Sequence, residues 1–157
     1  MNAKIVGALA AVALLAACAN TTPTTTATTT GVAAPAGPAP GSQEDLVANV
    51  GDRVFYAFNR SDLSSEAQGT LNRQAAWLQK YPNVQVLIAG NCDDRGTEEY
   101  NLALGQRRAN AAKDYLVARG VGGARLETIS YGKDRPTALG DNEQAWAQNR
   151  NAITAVR

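Results

Sequence analysis

The sequence contains no histidine and only two cysteines, and the apolar run that precedes the small residues Ala16 and Ala17 covers residues 5–15. The absence of histidine excludes Ser-His-Asp and Cys-His catalytic arrangements and every zinc site that uses histidine. As a helix, the apolar run would span about 17 Å, whereas the hydrocarbon core of a bilayer is about 30 Å thick. A permanent transmembrane helix is therefore the weaker interpretation of this run.

The sequence also has no excess of charge of either sign. The chain has 15 basic and 14 acidic side chains, and without residues 1–17, which include Lys4, 14 of each remain. Nucleic-acid binding depends on clustered Lys and Arg, so a near-neutral surface disfavours that partner. Attachment to a membrane would require lipid, because the surface offers little electrostatic attraction.

The first residues are typical of a lipoprotein signal. Lys4 precedes the apolar run, and Leu15-Ala16-Ala17-Cys18 forms a lipobox. We predict that residues 1–17 are a signal peptide and that Cys18 carries the lipid anchor; an ordinary secretory leader is the alternative. By resemblance to enterobacterial sorting, Ala19 favours the outer membrane, with the folded part facing the periplasm.

Residues 18–42 predict a lipidated cysteine followed by a flexible linker. Residues 21–30 contain eight threonines with one proline and one alanine, and residues 31–42 are mostly Ala, Pro and Gly. Such a composition offers little apolar surface to offset the entropy of ordering. Glycosylation of the threonines is an open alternative.

The remaining residues, 43–157, predict one domain. Apolar and branched residues predict four strands, at 54–58, 84–89, 126–131 and 152–156. Helical periodicity predicts two long helices and a short one, near residues 64–81, 97–119 and 141–148. We therefore expect an α/β (α+β) two-layer sandwich in which a mixed sheet of about four strands packs against these helices.

Local signals set the expected boundaries of these elements. Ser64 or Ser65 would cap the first long helix, Tyr81-Pro82 would stop it, and Gly90 would end the second strand. Asp141 would cap the short helix. The expected buried positions of the first long helix are Ala67, Leu71, Ala75 and Leu78, and those of the second are Leu104, Ala111, Tyr115 and Leu116, with Gly120 as its C-terminal cap.

Residues 90–109, GNCDDRGTEEYNLALGQRRA, resemble the signature of the OmpA-like domain and, within it, of the peptidoglycan-associated lipoproteins. Residues 54–63, 130–133, Pro136 and Asn149-Arg150 also fall where that branch has them. The resemblance covers essentially the whole predicted domain. It implies a lipid-anchored outer-membrane protein that binds peptidoglycan noncovalently and ties the membrane to the wall.

The resemblance implies a binding site for meso-diaminopimelate, whose free end presents an ammonium and a carboxylate on one carbon. Asp93 would meet the ammonium, and Arg108 would give the carboxylate two parallel hydrogen bonds. Leu104 lies one helical turn before Arg108 and would add apolar surface. The alternative is a solvated Asp93–Arg108 ion pair, which contributes only about 0–1 kcal/mol.

Further contacts are expected around this pair. Backbone amides near Gly96 and Thr97, at a helix start, would offer donors to an anion. Asn101 would be a polar contact. The family match adds rim residues, namely Phe58, Asn59, Asn91, Thr97 and Arg150.

Four positions depart from the family pattern. Asn91 replaces a common His, Cys92 a common Thr, Asn59 a common Asp and Asn151 a frequent Arg. A thiol donates more weakly than a hydroxyl, so we expect binding with altered rim contacts. With Cys18 acylated, Cys92 has no partner in the chain and is expected to be a small buried residue; an intermolecular disulfide stays open.

Other functions remain as alternatives. The resemblance implies a Tol partner, the β-propeller TolB, and a role in envelope integrity and cell division. An adaptor in another envelope complex could use Tyr56, Tyr131 or Trp146, although each fits the core. A peptidoglycan hydrolase would need paired carboxylates such as Asp93 with Glu98 or Glu99, but short loops scarcely provide a long cleft. We expect no enzymatic activity, no cofactor and no metal.

Overall fold

The computed structural model describes residues 37–157. The predicted signal peptide, Cys18 and the linker up to residue 36 lie outside the described residues. Within them, the elements follow in the order α1 (Gln43–Asn49), β1 (Arg53–Phe55), α2 (Ser65–Lys80), β2 (Val86–Asn91), α3 (Glu98–Ala118), a 3-10 turn (Gly123–Arg125), β3 (Leu126–Gly132), α4 (Glu143–Asn149) and β4 (Asn151–Val156). None of the helices between residues 37 and 157 has both the length and the apolar character needed to cross a bilayer.

The four strands form one sheet in the order β1-β4-β2-β3. Strands β2 and β3 are parallel, as expected for two strands joined through a crossover helix, here α3. Strand β4 is antiparallel to both β1 and β2. The predicted two-layer fold with a mixed sheet is therefore confirmed.

Helices α2 and α3 bury their apolar stripes against one face of the sheet. All four positions predicted for α2 are buried, from Ala67 to Leu78. Ser64 caps this helix by accepting a hydrogen bond from the amide of Ala67, and the helix ends before Tyr81 as the following proline requires. In α3, Ala109 and Ala112 are buried, whereas Ala111 is only half-buried, so the predicted stripe was wrong at that position. Tyr115 is half-buried and packs against the core.

Gly90 does not end its strand. It lies where α3 approaches β2 closely. A Cβ on Gly90 would lie 1.9 Å from the carbonyl oxygen of Gly105, and a Cβ on Gly105 would lie 2.3 Å from the hydroxyl of Ser130. Glycine is therefore needed here for contact between backbones. The strand continues to Asn91, one residue beyond the predicted end.

Further boundaries and one helix differ from the predictions. Strand β2 begins at Val86 rather than Val84. Strand β1 ends at Phe55 rather than Phe58. Asn142, not Asp141, caps α4 by accepting a hydrogen bond from the amide of Ala145. Helix α1 was not predicted, because its seven residues directly follow the Ala-Pro-Gly stretch; Ser42 caps it.

Helix α1 is held by contacts far along the chain. The indole of Trp77 donates to the carboxylate of Asp45 at 2.9 Å. Gln43 accepts from the amide of Val156 at 2.7 Å and donates to the carbonyl of Thr154. Gln43 thus pairs with the edge of β4 beyond the first residue of β1, at the end of the sheet where β2 begins.

Candidate functional site

A cavity of about 180 Å³ opens where the chain leaves the carboxyl end of β2 and enters α3. Its lining comes from the β1–α2 loop, the β2–α3 loop and the first turns of α3. The lining residues are Phe58, Asn59, Asp93, Arg95, Gly96, Tyr100, Asn101, Leu104 and Arg108. Seven of these were predicted from the sequence, and Arg95 and Tyr100 were not.

Asp93 is the anion of this cavity and is only 4% exposed. Its Oδ2 atom accepts hydrogen bonds from Arg95 at 2.6 Å and from Arg150 at 3.3 Å. Its Oδ1 atom accepts none from any residue between 37 and 157. One carboxylate oxygen is thus fixed by the protein, and the second keeps its capacity to accept a hydrogen bond.

Arg108 is the buried cation of the cavity. It is fully buried, and its Nε, Nη1 and Nη2 atoms donate to the carbonyls of Arg60, Asn91 and Ala57 at 2.9, 2.8 and 3.1 Å. A guanidinium has five N–H donors, so two are left without an acceptor among the described residues. The carbonyls fix the plane of the group and leave donors for an anion.

Burial affects the protonation of Arg108. Loss of solvent lowers the pKa of its guanidinium, and the negative charge of Asp93 partly opposes this effect. An arginine remains protonated at neutral pH even so. The ring of Tyr56 lies 5.2 Å from the guanidinium, and the Tyr56 hydroxyl donates to the Arg108 carbonyl at 2.8 Å.

Arg95 forms one wall of the cavity. Its guanidinium lies between two aromatic rings, 4.0 Å from the centre of Phe58 and 4.1 Å from that of Trp146. The bond to Asp93 raises the pKa of Arg95. Its position two residues after Asp93 was the available sequence signal, but the contact with Trp146 joins residues far apart in the chain.

Local backbone conformations shape the rest of the lining. Asn59 adopts a positive φ of 57°, which asparagine tolerates better than most residues, and its side chain accepts a hydrogen bond from the hydroxyl of Tyr100. Asn101 is buried and donates to the carbonyls of Arg95 and Thr97. These bonds close the loop onto α3.

Three predicted rim residues do not line the cavity. Asn91 is buried and donates to the side chain of Asn151 at 2.8 Å, while its carbonyl accepts from Arg108. Thr97 is exposed and caps α3 by accepting from the amide of Tyr100. Arg150 lies behind Asp93. The geometry gives these residues supporting positions and corrects the expectation that they form the rim.

Two further expectations concern nearby residues. Cys92 is buried, as expected, and its thiol donates to the carbonyl of Asn101. Burial raises the pKa of this thiol. Tyr56 is buried, whereas Tyr131 and Trp146 are half-buried. Between residues 37 and 157, no three His, Cys, Asp or Glu side chains cluster closely enough to hold a metal ion.

The cavity can therefore receive a small ligand that carries both signs of charge. A ligand ammonium can donate to Oδ1 of Asp93, and a ligand carboxylate can accept from Arg108. Leu104 and Phe58 add apolar surface beside these groups. A singly charged ligand could engage only one of these two groups, and a neutral ligand would engage neither through its charge.

Comparison with known proteins identifies similar chains. The model of the OmpA family matches residues 55–150. The peptidoglycan-associated lipoprotein of Rhizobium meliloti is 56% identical over 117 residues, which cover 74% of this chain and 66% of that protein. The lipoprotein of the same name from Brucella melitensis is 52% identical and is covered to 70%. The chain thus spans about two thirds of the length of these curated relatives.

A solved structure is similar as well. The crystal structure of the peptidoglycan-associated lipoprotein from Burkholderia pseudomallei superposes with a TM-score of 0.66 at 43% sequence identity. The match covers 68% of this chain and 90% of that chain.

Proposed function

Because this chain belongs to the OmpA family and, within it, to the peptidoglycan-associated lipoproteins, we propose that it binds peptidoglycan noncovalently and tethers the outer membrane to the cell wall. The single observation that carries the proposal is that one cavity of small-ligand size is lined by both Asp93 and Arg108. The names of the relatives agree with it.

The ligand in this proposal is the zwitterionic centre of meso-diaminopimelate in an uncrosslinked stem peptide. Its ammonium donates to Oδ1 of Asp93, and its carboxylate accepts from the two unused donors of Arg108. The hydrocarbon part of the ligand contacts Leu104 and Phe58. Asn101, Gly96 and Asn59 complete the lining.

The remaining predicted residues do not contact the ligand; they position the residues that do. Arg150 holds Oδ2 of Asp93, the Asn91 carbonyl holds Nη1 of Arg108, and Thr97 fixes the start of α3. Arg95 shares Oδ2 of Asp93 without occupying Oδ1. The buried ion pairs of Asp93 with these arginines keep their charge complementarity when the ligand is absent. Few alternative partners are then available to these groups.

The proposal places the anchor at Cys18, after removal of the signal peptide 1–17, and a linker over residues 18–42. Residues 43–157 would then be the wall-binding domain in the periplasm. More than one acyl chain is needed for stable membrane attachment. A Tol-Pal role with TolB as partner is part of the same proposal, as is noncatalytic binding without a cofactor.

Sedimentation with purified sacculi tests the proposal. We expect the protein to pellet with sacculi and to be released by millimolar free meso-diaminopimelate. Pimelate, which lacks both ammonium groups, and cadaverine, which lacks both carboxylates, are matched competitors that should not release it. Equal release by either of them, or none by diaminopimelate, would contradict the assigned ligand.

A second measurement separates binding from hydrolysis. After incubation with the protein, the soluble fraction of intact sacculi should contain no muropeptides above the level of a protein-free control. Released muropeptides would instead favour the hydrolase alternative.

A further inference from the structure

The face of the sheet opposite α2 and α3 carries apolar side chains in its two central strands. In β2, Val86 and Ile88 are fully buried in the core between sheet and helices. Because side chains alternate along a strand, Leu87 and Ala89 point to the opposite face. The run of apolar residues in β2 is the pattern of a strand that is covered on both faces.

Strand β4 places one polar residue among its core-facing positions and apolar residues on its outer face. Thr154 points toward the helices, where its hydroxyl is 3.0 Å from the side-chain oxygen of Gln74. Its neighbours Ile153 and Ala155 point outward and are half-buried. A sheet face exposed to water normally places polar residues outward, so this arrangement indicates that a further surface covers the outer face.

These outward residues form a groove, here called the outer-face groove. Its volume is about 270 Å³, and it is lined by Leu87, Ala89, Tyr131, Arg135, Ile153 and Ala155, with Asn91 at one end. The cavity that holds Asp93 and Arg108 is smaller, at about 180 Å³. The two linings share no residue.

The outer-face groove has one cation whose charge is not neutralised. Arg135 is exposed and lies 3.7 Å from the centre of the Tyr131 ring. It forms no ion pair with any residue between 37 and 157. Other charges on this face are already paired, since Arg157 bonds to Glu127 and Arg53 bonds to Asp52.

A side-chain acceptor lies at the end of the groove. Asn91 is 3% exposed, and its amide nitrogen donates to Ala89 and to Asn151. Its side-chain oxygen accepts no hydrogen bond within the described part of the chain. This oxygen can therefore accept a hydrogen bond from a bound donor.

We propose that the outer-face groove docks a segment of a partner protein in which a large apolar side chain is adjacent to an aspartate or glutamate. The apolar side chain enters between Leu87 and Ile153, and the carboxylate pairs with Arg135. A second copy of this chain fits less well, because the two acidic side chains near its own groove, Glu127 and Asp52, are already paired. Since the linings are separate, the partner can bind while the cavity is occupied.

Selection of peptides tests this proposal on the full-length protein in detergent. A phage-displayed library of random heptapeptides is selected on the wild-type protein and depleted on the Ile153→Glu variant. The enriched peptides should contain a large apolar residue adjacent to Asp or Glu. Absence of enrichment over the depleted pool, or enrichment of peptides without an acidic residue, would overturn the proposal.

Charge reversal provides the second arm. Affinity for the enriched peptides should fall at least about fivefold in Arg135→Glu, since attraction becomes repulsion. Peptides with Lys in place of the acidic residue should regain affinity for that variant. Val117→Glu, a matched change at an exposed apolar residue of α3, should have no effect.

Two further outcomes would contradict the proposal. Loss of peptide binding in Asp93→Asn would place the peptides in the cavity instead. A concentration-dependent dimer that Ile153→Glu abolishes, measured by sedimentation equilibrium, would assign the face to a second copy. Thermal unfolding of Ile153→Glu and of Ala155→Glu, a second outward position, checks that each variant folds.

Discussion

The Nη1 atom of Arg150 lies 3.3 Å from Oδ2 of Asp93, inside a ring of four alternating charges. Glu143 closes the ring, 2.6 Å from Arg150 and 3.9 Å from Arg95, and Arg95 lies 2.6 Å from Asp93. Two positive and two negative groups cancel within the ring. The net positive charge beside the cavity therefore belongs to Arg108, and the bonds to Oδ2 fix the orientation of the Asp93 carboxylate in the lining of the same cavity.

Changing Asp93 to Asn should strongly weaken binding to sacculi. The substitution preserves shape but removes the charge that pairs with an ammonium, a loss of about 2–5 kcal/mol for a desolvated charge pair. Folding should also be destabilised, by about 1–3 kcal/mol, because Arg95 and Arg150 lose the negative charge that they share. Cosedimentation and urea unfolding measure the two effects.

Asp94→Asn is the matched control for that variant. Asp94 is adjacent in sequence but exposed and absent from the lining of the cavity. Its substitution should leave sacculus binding within about twofold of wild type, since exposed charges contribute little. Equal losses in both variants would show that the loop as a whole, and not the Asp93 carboxylate, carries the binding.

Arg108→Lys should lose both stability and binding despite keeping its charge. A lysine ammonium cannot donate in one plane to three carbonyls and a ligand carboxylate. We expect the free energy of unfolding to fall by about 2–4 kcal/mol, because buried carbonyls lose their donors. Arg107→Lys, at the exposed neighbouring position of α3, should match wild type. Undiminished affinity for diaminopimelate in folded Arg108→Lys would refute the bidentate contact.

Substitution of two glycines by alanine, one in β2 and one in α2, should have opposite effects on stability. Gly90→Ala would place a Cβ 1.9 Å from the Gly105 carbonyl, which forces α3 away from the sheet and should cost about 2–4 kcal/mol by analogy with overpacked cores. Gly69→Ala, in the middle of α2, meets only the side chain of Arg73 at 4.0 Å. This substitution should stabilise the protein by about 0.5–1 kcal/mol, because alanine has a higher helix propensity than glycine. Thermal unfolding of both variants provides the comparison.

Stability should fall in acid through Asp45. Hydrogen bonds from the Gly41 amide, the Trp77 indole and Asn49 lower the pKa of its carboxyl from 3.8 to about 2. Because the folded state binds this proton less readily than the unfolded state, the contribution is complete above about pH 4 and is lost as the pH falls toward 2. Urea unfolding of wild type should show this loss.

Asp45→Asn is the control for the acid dependence. The variant should be less stable at neutral pH and should show a smaller decrease of unfolding free energy between pH 4 and pH 2. Parallel pH curves for the two proteins would assign the acid sensitivity to other carboxyls.

Local chemistry accounts for what the sequence predicted well. Ser64 and Thr97 cap the long helices, Pro82 limits the first of them, and the strand patterns placed the sheet. The resemblance of residues 90–109 to the family signature indicated Asp93 and Arg108 as site residues, and both line one cavity. Each of these features depends on residues within one or two turns, or on a long motif.

Features that depend on distant contacts were missed. Helix α1 is too short to be stable alone and depends on Trp77 and β4. The continuation of β2 past Gly90 depends on a glycine 15 positions later, and the burial of Arg108 depends on carbonyls of the β1–α2 loop. None of these contacts between distant residues is visible as a local pattern in the sequence.

The attachment of α1 has a mechanical consequence. Gln43 meets the sheet beside Val156, where β2 begins, whereas Asp93 follows the other end of that strand, about 20 Å away at 3.3 Å per residue. Tension between a preceding anchor and a wall ligand in the cavity would run along β2 and β4. Hydrogen bonds between antiparallel strands are perpendicular to that direction, so the load would shear them collectively instead of unzipping them singly.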